Sequence, residues 1–280
     1  MTSPAPGASV RVTSIDALLS TLADDAVGDI VVANGTYHIS AASSHAADSL
    51  YIGSRFAGRS RPVTVRAETI GGVTFDGGGG TGYMGMAFEQ GAHDQTWDGF
   101  NFANMVGTPI EFGGFTPSAP AHHITLRHIT LKSTCLRASA SSNQEQGIYF
   151  SNAAGSGPHD ILLEDVKVDG TNSNSVWSAI HAYHGDAANP PASRVTIRRL
   201  KVTGTTNGIV LWNDTAIQHD WLIEDSTISG ARDTAIRFES VGAQNIVFDA
   251  ITSTGSGTRG FYSSLGSNPP GVTFIGDSLH

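Results

Sequence analysis

The sequence predicts an all-β solenoid, a right-handed parallel β-helix of about three strands per coil that forms a single domain over residues 1–280. Three observations predict it. The composition is rich in Ser, Thr, Val and Ile and includes 33 Gly among 280 residues, which is typical of short strands joined by tight turns. Two kinds of short alternating segment also recur along the chain. A copy of the second lies between successive copies of the first.

The beginning of the chain is predicted to cap the solenoid. Residues 12–25 are predicted to contain a short helix, because apolar residues recur at helical spacing at Ile15, Leu18, Leu19 and Leu22. Ser14 precedes them as a candidate N-cap. A helix at this end would cover apolar core and backbone groups that the first coil leaves open. The coils are predicted to occupy 28–280.

The first recurring segment has a bend in its middle, so each copy supplies two strands. Its copies are VTVRAETI (63–70), QTWDGFNF (95–102), ITLRHITL (124–131), ILLEDVKV (161–168), VTIRRLKV (195–202), WLIEDSTI (221–228), IVFDAITS (246–253) and VTFIGDSL (272–279). A coil of such a solenoid buries its apolar face only by stacking on its neighbours. The repeat therefore predicts one continuous core along the chain.

The second segment supplies the third strand of each coil. Its copies are MAFE (86–89), IEFG (110–113), IYFS (148–151), IHAY (180–183), IVLW (209–212), IRFE (236–239) and FYSS (261–264). Alternation predicts that the first and third residues of each copy from 110 onward face the core, from Ile110 and Phe112 to Phe261 and Ser263. The residues between them form two outward columns: Glu111, Tyr149, His181, Val210, Arg237 and Tyr262, then Gly113, Ser151, Tyr183, Trp212, Glu239 and Ser264.

Charge and composition exclude several classes of function. The net charge of −9 argues against a nucleic-acid partner, because phosphate binding needs clustered cations. No apolar run is long enough to span a membrane, and Cys135 alone makes no disulfide framework. We expect a secreted protein whose signal peptide is absent from this sequence. We also expect a monomer, because the outward columns offer no continuous apolar face.

Three segments in the first third resemble the pectate-lyase-like β-helix proteins, and within them the chondroitinase B and alginate lyase branch: GDIVVANGTYHIS (28–40), PVTVRAETIGGVTFDG (62–77) and TWDGFNFAN (96–104). The resemblance covers residues that form the fold. In that branch a Lys and an Arg on adjacent coils carry out elimination beside a calcium ion. Arg237 matches the Arg, but the position one coil earlier is Val210, no Lys lies on the outward columns, and no acidic calcium cluster is recognisable. We expect no cofactor, with calcium left open.

Two sets of repeated polar residues are interpreted as structural. One is a charge ladder at the bend, where coils about 4.8 Å apart bring opposite charges together: Arg127, Glu164, Arg198, Glu224 and Asp249, followed by His128, Asp165, Arg199 and Asp225. Lys167 and Lys201 lie on the same surface. The other precedes the first segment and is expected to pack a turn, because a metal needs ligands that converge at one point: His93-Asp94, His122-His123, His159-Asp160 and His219-Asp220.

The outward face of the second segment is the candidate site, because its composition changes from coil to coil and exposed aromatic side chains often mark binding. The flanking loops at 132–147, 171–179 and 184–193 are long and predict the walls of a cleft. The expected catalytic residues are His181, Tyr183, Arg237 and Glu239. The expected substrate-binding residues are Glu111, Tyr149, His184, Trp212, Asn213, Asp214 and Tyr262, and no metal ligand is assigned.

These residue types predict a polysaccharide lyase that acts on a uronate-containing chain. Arg237 would bind the C6 carboxylate, His181 would take the C5 proton and Tyr183 would protonate the leaving oxygen. A C5-epimerase could use the same groups. Hydrolysis would need two carboxylates close together. Glu111 and Glu239 lie four coils apart, about 19 Å, which is too far for a hydrolytic pair. The remaining candidate pairs are Glu239 with Asp214 and Asp214 with Asp186. A non-catalytic carbohydrate-binding β-helix is the remaining alternative.

Overall fold

The chain folds into three parallel sheets that wind together along the sequence. The computed structural model describes residues 7–39, 50–51, 59–78, 85–113, 119–136, 146–151, 157–171, 176–184, 190–257 and 259–280. From β2 onward, successive strands join the first, second and third sheet in turn, and strands of successive coils pair in parallel. The protein is a parallel β-helix, which confirms the fold class predicted from the repeats.

Sheet I contains the first half of the bent segment, and its strands, numbered along the chain, are β1 (Ala8–Val12), β2 (Val27–Val32), β5 (Val63–Ala67), β8 (His93–Asp98), β11 (His122–Arg127), β14 (His159–Glu164), β17 (Ser193–Arg198), β20 (Gln218–Glu224), β23 (Ala243–Asp249) and β26 (Val272–Ile275). Sheet II contains the second half: β3 (Gly35–His38), β6 (Val73–Asp76), β9 (Phe100–Ala103), β12 (Thr130–Lys132), β15 (Lys167–Asp169), β18 (Lys201–Thr203), β21 (Thr227–Ser229), β24 (Thr252–Thr254) and β27 (Ser278–Leu279).

Sheet III contains the second recurring segment and carries the candidate site. Its strands are β4 (Leu50–Tyr51), β7 (Met86–Phe88), β10 (Ile110–Phe112), β13 (Gln146–Ser151), β16 (Ser178–His184), β19 (Asn207–Asn213), β22 (Thr234–Ser240) and β25 (Arg259–Ser263). The residues predicted to face inward are buried from β10 to β22. Phe261 and Ser263 on β25 are partly exposed, because this strand lies at the edge of the sheet and packs against one neighbour only.

The core is a column of stacked apolar side chains. Phe88, Phe112 and Phe150 occupy the same position in successive coils, with ring centres 5.0 and 4.9 Å apart and nearly parallel planes. Trp97 and Trp221 fill the interior beside them and are fully buried. Ring stacking at this separation follows from the spacing of the coils, which is about 4.8 Å.

The predicted cap is present and shorter than expected. Helix α1 spans Ile15–Leu22, and the Ser14 hydroxyl accepts a hydrogen bond from the Ala17 amide at 3.1 Å. Its apolar face is buried through Leu18, Leu19 and Leu22. The sequence did not predict strand β1, which precedes the helix and pairs in parallel with β2.

The bend between sheets I and II has the same backbone geometry in coil after coil. The residue at the bend adopts a positive φ between 50° and 55° at His128, Asp165, Arg199, Asp225 and Ala250. Asp and His are among the residues that tolerate this conformation best. The local conformation is therefore encoded by the same repeat position that carries the charges.

The charges at this bend form the ladder that the sequence predicts. Arg127 donates to Asp98 at 2.9 Å, Arg198 lies 2.7 Å from Glu164, and Arg199 donates to Asp165 at 2.8 Å. Each pair joins two adjacent coils. Pairs this exposed contribute little each, so we regard the ladder as a device that keeps neighbouring coils in register.

The histidines that begin β8, β11 and β14 stack on one another. The rings of His93, His122 and His159 stack with centres 5.2 Å apart, and His93 and His159 each place Nδ1 next to the carboxylate of the following Asp. Burial and the neighbouring imidazoles lower the pKa of His122. No three His, Cys, Asp or Glu side chains in the described ranges converge as metal ligands. The expected packing and hydrogen bonding of this set are present, but the expected turn is wrong, because these residues lie within the strands of sheet I. None of the described helices is long and apolar enough to cross a membrane.

Candidate active site

The outward column of sheet III forms in the register that the sequence predicts. Glu111 pairs with Tyr149, Tyr149 with His181, His181 with Val210, Val210 with Arg237, and Arg237 with Tyr262. The second column likewise aligns Ser151, Tyr183, Trp212 and Glu239. The regular coil spacing therefore places the candidate residues on one face of the solenoid.

The expected exposure of this face is wrong in its middle. Glu111 is 2% exposed and His181 is 4% exposed, although both point away from the core of the coils. Aromatic side chains cause much of this burial, since four rings lie within 6.4 Å of the His181 ring centre: Trp177, Tyr149, Tyr183 and Trp212. The face is therefore not a simple open groove.

His181 is a neutral base held among aromatic rings. Neither ring nitrogen has a hydrogen-bond partner among the described residues. Burial, and to a lesser degree the charge of Arg237, lowers its pKa to about 3. At neutral pH the imidazole is therefore uncharged, with one nitrogen free to accept a proton.

Arg237 lies near His181 and is already engaged. Its Nε and Nη2 donate to Oε1 of Glu239 at 2.8 and 2.5 Å, and its Nη1 lies 3.8 Å from Asp233. The guanidinium carbon lies 5.8 Å from the Trp177 ring centre and 5.7 Å from that of Tyr262. Glu239 was predicted to act in catalysis, but in this structure its carboxylate holds Arg237.

Three predicted binding residues at the end of β19 have different surroundings. Trp212 donates its indole N–H to Asp214 at 2.6 Å, so Asp214 orients the ring. Asn213 is buried, and its Oδ1 accepts from the amides of Thr215 and Ala216 at 3.1 and 2.8 Å. The Asn213 side chain therefore stabilises a turn and does not face a substrate, because its carbonyl oxygen accepts hydrogen bonds from the backbone amides that follow it.

Two predicted positions are described in part or not at all. His184 ends β16 and its backbone pairs with Asn213, while its side chain lies outside the described atoms. Asp186, considered for a hydrolytic pair, lies outside the described residues, as do parts of the three loops expected to form cleft walls. The described part of the loop at 171–179 contributes Trp177 to the site.

Glu89 is a site residue that sequence reasoning missed. It lies two residues beyond Ala87, which pairs with Glu111, so the two carboxyl groups share the outer face on adjacent coils. Burial and the charge of Glu89 raise the pKa of Glu111 to about 8, and Glu111 Oε1 has no partner within the described part of the chain. The sequence did contain evidence for this position, because MAFE at 86–89 is a copy of the second segment and its last residue, Glu89, belongs to the second outward column.

Tyr149 separates this acidic pair from His181. Its ring centre lies 5.4 Å from that of His181, and burial followed by the charge of Glu111 raises its pKa. The phenol therefore stays protonated at neutral pH. The face thus changes from carboxyl groups, through aromatic rings and a neutral imidazole, to guanidinium groups.

A surface cavity lies elsewhere, beside the first coils on sheet I. Its lining includes Asp25 and Asp29, but both carboxylates are occupied. Asp25 accepts from Ser60 and from the Arg61 amide, and Asp29 accepts from Ser9 and Arg66. This cavity offers no group poised for chemistry, and the site on sheet III remains the candidate.

No protein-family model and no curated protein sequence matches the chain. Several solved structures resemble it at low identity. The polygalacturonase from Erwinia carotovora ssp. carotovora is 12% identical with a TM-score of 0.49, over 100% of this chain and 95% of that one. The α-1,3-glucanase catalytic unit from Streptomyces thermodiastaticus strain HF3-3 is 12% identical with a TM-score of 0.41, over 90% and 55%.

A third similar structure is the PL6 family alginate lyase AlyGC, which is 13% identical with a TM-score of 0.39, over 91% of this chain and 40% of that one. The chain thus spans about half of the glucanase unit and less than half of the lyase. All three are parallel β-helix proteins. They include two hydrolases and one lyase, so the fold alone does not separate these chemistries.

Proposed function

We propose that the chain cleaves a uronate-containing polysaccharide by β-elimination on the outer face of sheet III. The observation that carries the proposal is His181, a neutral imidazole among aromatic rings that has no hydrogen-bond partner among the described residues and lies within electrostatic reach of Arg237. Elimination needs a base, a cation for the uronate carboxylate and an acid for the leaving oxygen. His181, Arg237 and Tyr183 supply these three groups on one face.

Arg237 binds the C6 carboxylate in this proposal. Guanidinium and carboxylate form charge-assisted, often bidentate pairs, and Nη1 of Arg237 has only the distant Asp233 as a partner among the described residues, at 3.8 Å. Glu239 holds the other edge of the guanidinium and fixes its orientation. Neutralising the carboxylate acidifies the C5 proton next to it.

His181 then removes the C5 proton. It lies two coils from Arg237, about 10 Å between backbones, a span that one sugar ring and two side chains bridge. The bound carboxylate offsets the charge of Arg237 and so favours the imidazolium that forms. The C5–H electrons become the C4–C5 double bond, the C4–O bond breaks, and Tyr183 donates its phenolic proton to the departing oxygen.

Aromatic side chains provide the sugar-binding surface. Trp212 is oriented by Asp214 and Tyr262 lies against Arg237, so both rings are held for stacking on the apolar face of a sugar. Trp177 contacts His181 with ring centres 5.0 Å apart. A sugar reaches His181 only if this packing opens, so substrate binding includes displacement of the Trp177 ring.

The proposal is tested by incubating the protein with a panel of polyuronates, with and without calcium, and following the ultraviolet absorbance of unsaturated uronate ends. We expect product from at least one polymer and a loss of at least a hundredfold in kcat for His181→Ala, about the value of a general base. Arg237→Gln should raise KM as well. His219→Ala is the matched control, because His219 lies on strand β20 of sheet I and bonds to Asp220; equal activity in H181A and H219A rejects the mechanism.

Hydrolysis is the second candidate, and a separate observation favours it. Glu111 is a protonated acid at neutral pH, and the buried carboxyl group of Glu89 lies on the adjacent coil. Glycoside hydrolysis uses two carboxyl groups, one of them an acid with a raised pKa. The pairs considered from the sequence fit less well, because Glu239 holds Arg237 and Asp214 holds the Trp212 indole.

The same incubation separates the two reactions. New reducing ends without ultraviolet absorbance, lost in Glu111→Gln and kept in H181A, would establish hydrolysis and reject elimination. A change of uronate configuration without chain cleavage would identify an epimerase. Tight binding of a polymer without any product would identify a binding module.

A further inference from the structure

A second guanidinium lies at the end of the same face and has no role in the proposed reaction. Arg259 begins β25 and is exposed. Its guanidinium carbon lies 4.7 Å from the ring centre of Tyr262. Across the described ranges, no carboxylate lies within ion-pair distance of Arg259, so its positive charge is not compensated.

Two guanidinium groups therefore lie close to the Tyr262 ring. Arg237 reaches the ring from the adjacent strand β22, with its guanidinium carbon 5.7 Å from the ring centre. The two cations differ, because Arg237 is paired with Glu239 at 2.5 Å, whereas the ring is the one side-chain partner of Arg259 that the described part of the chain provides. On a chain with a net charge of −9, an exposed Arg with no carboxylate among its described neighbours is a specific feature of this face.

Packing on an aromatic ring leaves the guanidinium edge free. The cation–π contact holds the planar group in place, and its N–H donors remain available to a carboxylate or sulfate. The guanidinium carbons of Arg237 and Arg259 lie 5.7 and 4.7 Å from the same Tyr262 ring centre, so the two groups are close to each other. Two anionic groups on neighbouring sugars can therefore bind at Arg237 and Arg259 together.

We infer that Arg259 and Tyr262 form a second anion subsite, which takes the acidic group of the sugar next to the one held by Arg237. The inference rests on the proposed function for the identity of the ligand as a sugar chain. It narrows the substrate class to polysaccharides with anionic groups on successive sugars. A polymer in which neutral sugars flank each uronate would leave Arg259 without a partner.

The test is a titration of the protein with galacturonate and mannuronate trisaccharides and with their carboxyl-reduced, neutral counterparts. Tryptophan fluorescence reports binding, because Trp97 and Trp221 are buried in the core and changes therefore come from Trp177 and Trp212. We expect Arg259→Gln to weaken Kd for an acidic trisaccharide about tenfold and to leave the neutral ones unchanged. Arg259→Lys should recover part of the loss.

Lys201→Gln removes the same charge from an exposed position on sheet II and is the matched control. Equal affinity in R259Q and K201Q overturns the subsite, as does a wild-type protein that does not prefer the acidic trisaccharides. Loss of affinity in R259Q without any cleavage product would keep the subsite and reject elimination. Cleavage that is lost in H181A, together with unchanged affinity in R259Q, would keep elimination and reject the subsite.

Discussion

At the scale of single residues, the candidate face is defined by groups whose burial changes their protonation. His181 and Glu111 occupy the same column two coils apart. Burial disfavours the charged form of each, so it lowers the pKa of His181 to about 3 and raises that of Glu111 to about 8. Both are uncharged at pH 7, although one is a base and the other an acid. The presence of two such groups with shifted pKa values on one face is the strongest indication that the face has a chemical role.

Glu111 makes the stability of the fold depend on pH. Its pKa is about 8 in the folded state, against an ordinary value of 4.5 for a glutamate side chain, so the folded state binds more protons between these pH values. The free energy of unfolding should therefore fall as pH rises through this window, by up to about 1.4 kcal/mol per pH unit. Glu111→Gln should remove this dependence, as measured by urea unfolding at a series of pH values.

Glu68→Gln is the control for that prediction. Glu68 is exposed and paired with Arg11, which lowers its pKa. It is ionised in both states from pH 5 upward, so its replacement should leave the slope unchanged in this window. A wild-type slope that persists in E111Q would show that Glu111 is not the responsible group.

At the scale of elements, the helix at the start of the chain depends on one buried Arg. Arg59 donates to the carbonyl oxygens of Leu22 at 3.1 Å and Asp24 at 2.8 Å, and also to that of Val27. These carbonyls lie at the end of α1 and in the segment that leads into β2. Burial lowers the pKa of Arg59, but its bonds satisfy the carbonyls that the helix end leaves open.

Arg59→Ala should destabilise the fold by about 3 kcal/mol, because hydrogen bonds from a charged group are lost and buried carbonyls stay unpaired. Hydrogen exchange of the α1 amides should accelerate before that of sheet III. Arg61→Ala, at an exposed position two residues on, should change neither quantity. The role assigned to Arg59 would be refuted by two variants of equal stability.

At the scale of the whole molecule, stability is a property of neighbouring coils. Phe112 stacks between Phe88 and Phe150, with ring centres 5.0 and 4.9 Å away. Phe274 on β26 stacks on Phe248 at 5.2 Å and is partly exposed. A solenoid in which each coil contacts only its neighbours is weakest where one neighbour is lost.

Phe112→Ala should therefore cost about 4 kcal/mol of unfolding free energy, the usual cost of a large cavity in a core. Phe274→Ala should cost clearly less and should loosen only the adjacent strands. Urea unfolding, combined with hydrogen exchange resolved by strand, measures both effects. Equal losses in the two variants would contradict this account of the coils.

Much of the candidate face could be predicted from the sequence, because alternation determines which residues point outward. The column from Glu111 to Tyr262 forms with no change of register. The hydrogen-bond and ion-pair partners of these side chains could not be predicted from the sequence. The pairing of Arg237 with Glu239, the bond from Trp212 to Asp214 and the turn made by Asn213 depend on side-chain rotamers.

The sequence by itself determined the coil. Its repeated apolar positions can be buried only by stacking, and His128, Asp165 and Asp225 are of types that tolerate the positive φ at the bend. Only the tertiary structure decided which side chains on this face are charged and which of them are held by a hydrogen bond or an ion pair. The Trp177 ring folds over His181, four residues further along the chain, and Glu89 lies near Glu111 on the adjacent coil. Burial and electrostatic coupling arise from that three-dimensional packing, and a linear pattern contains no distance between coils.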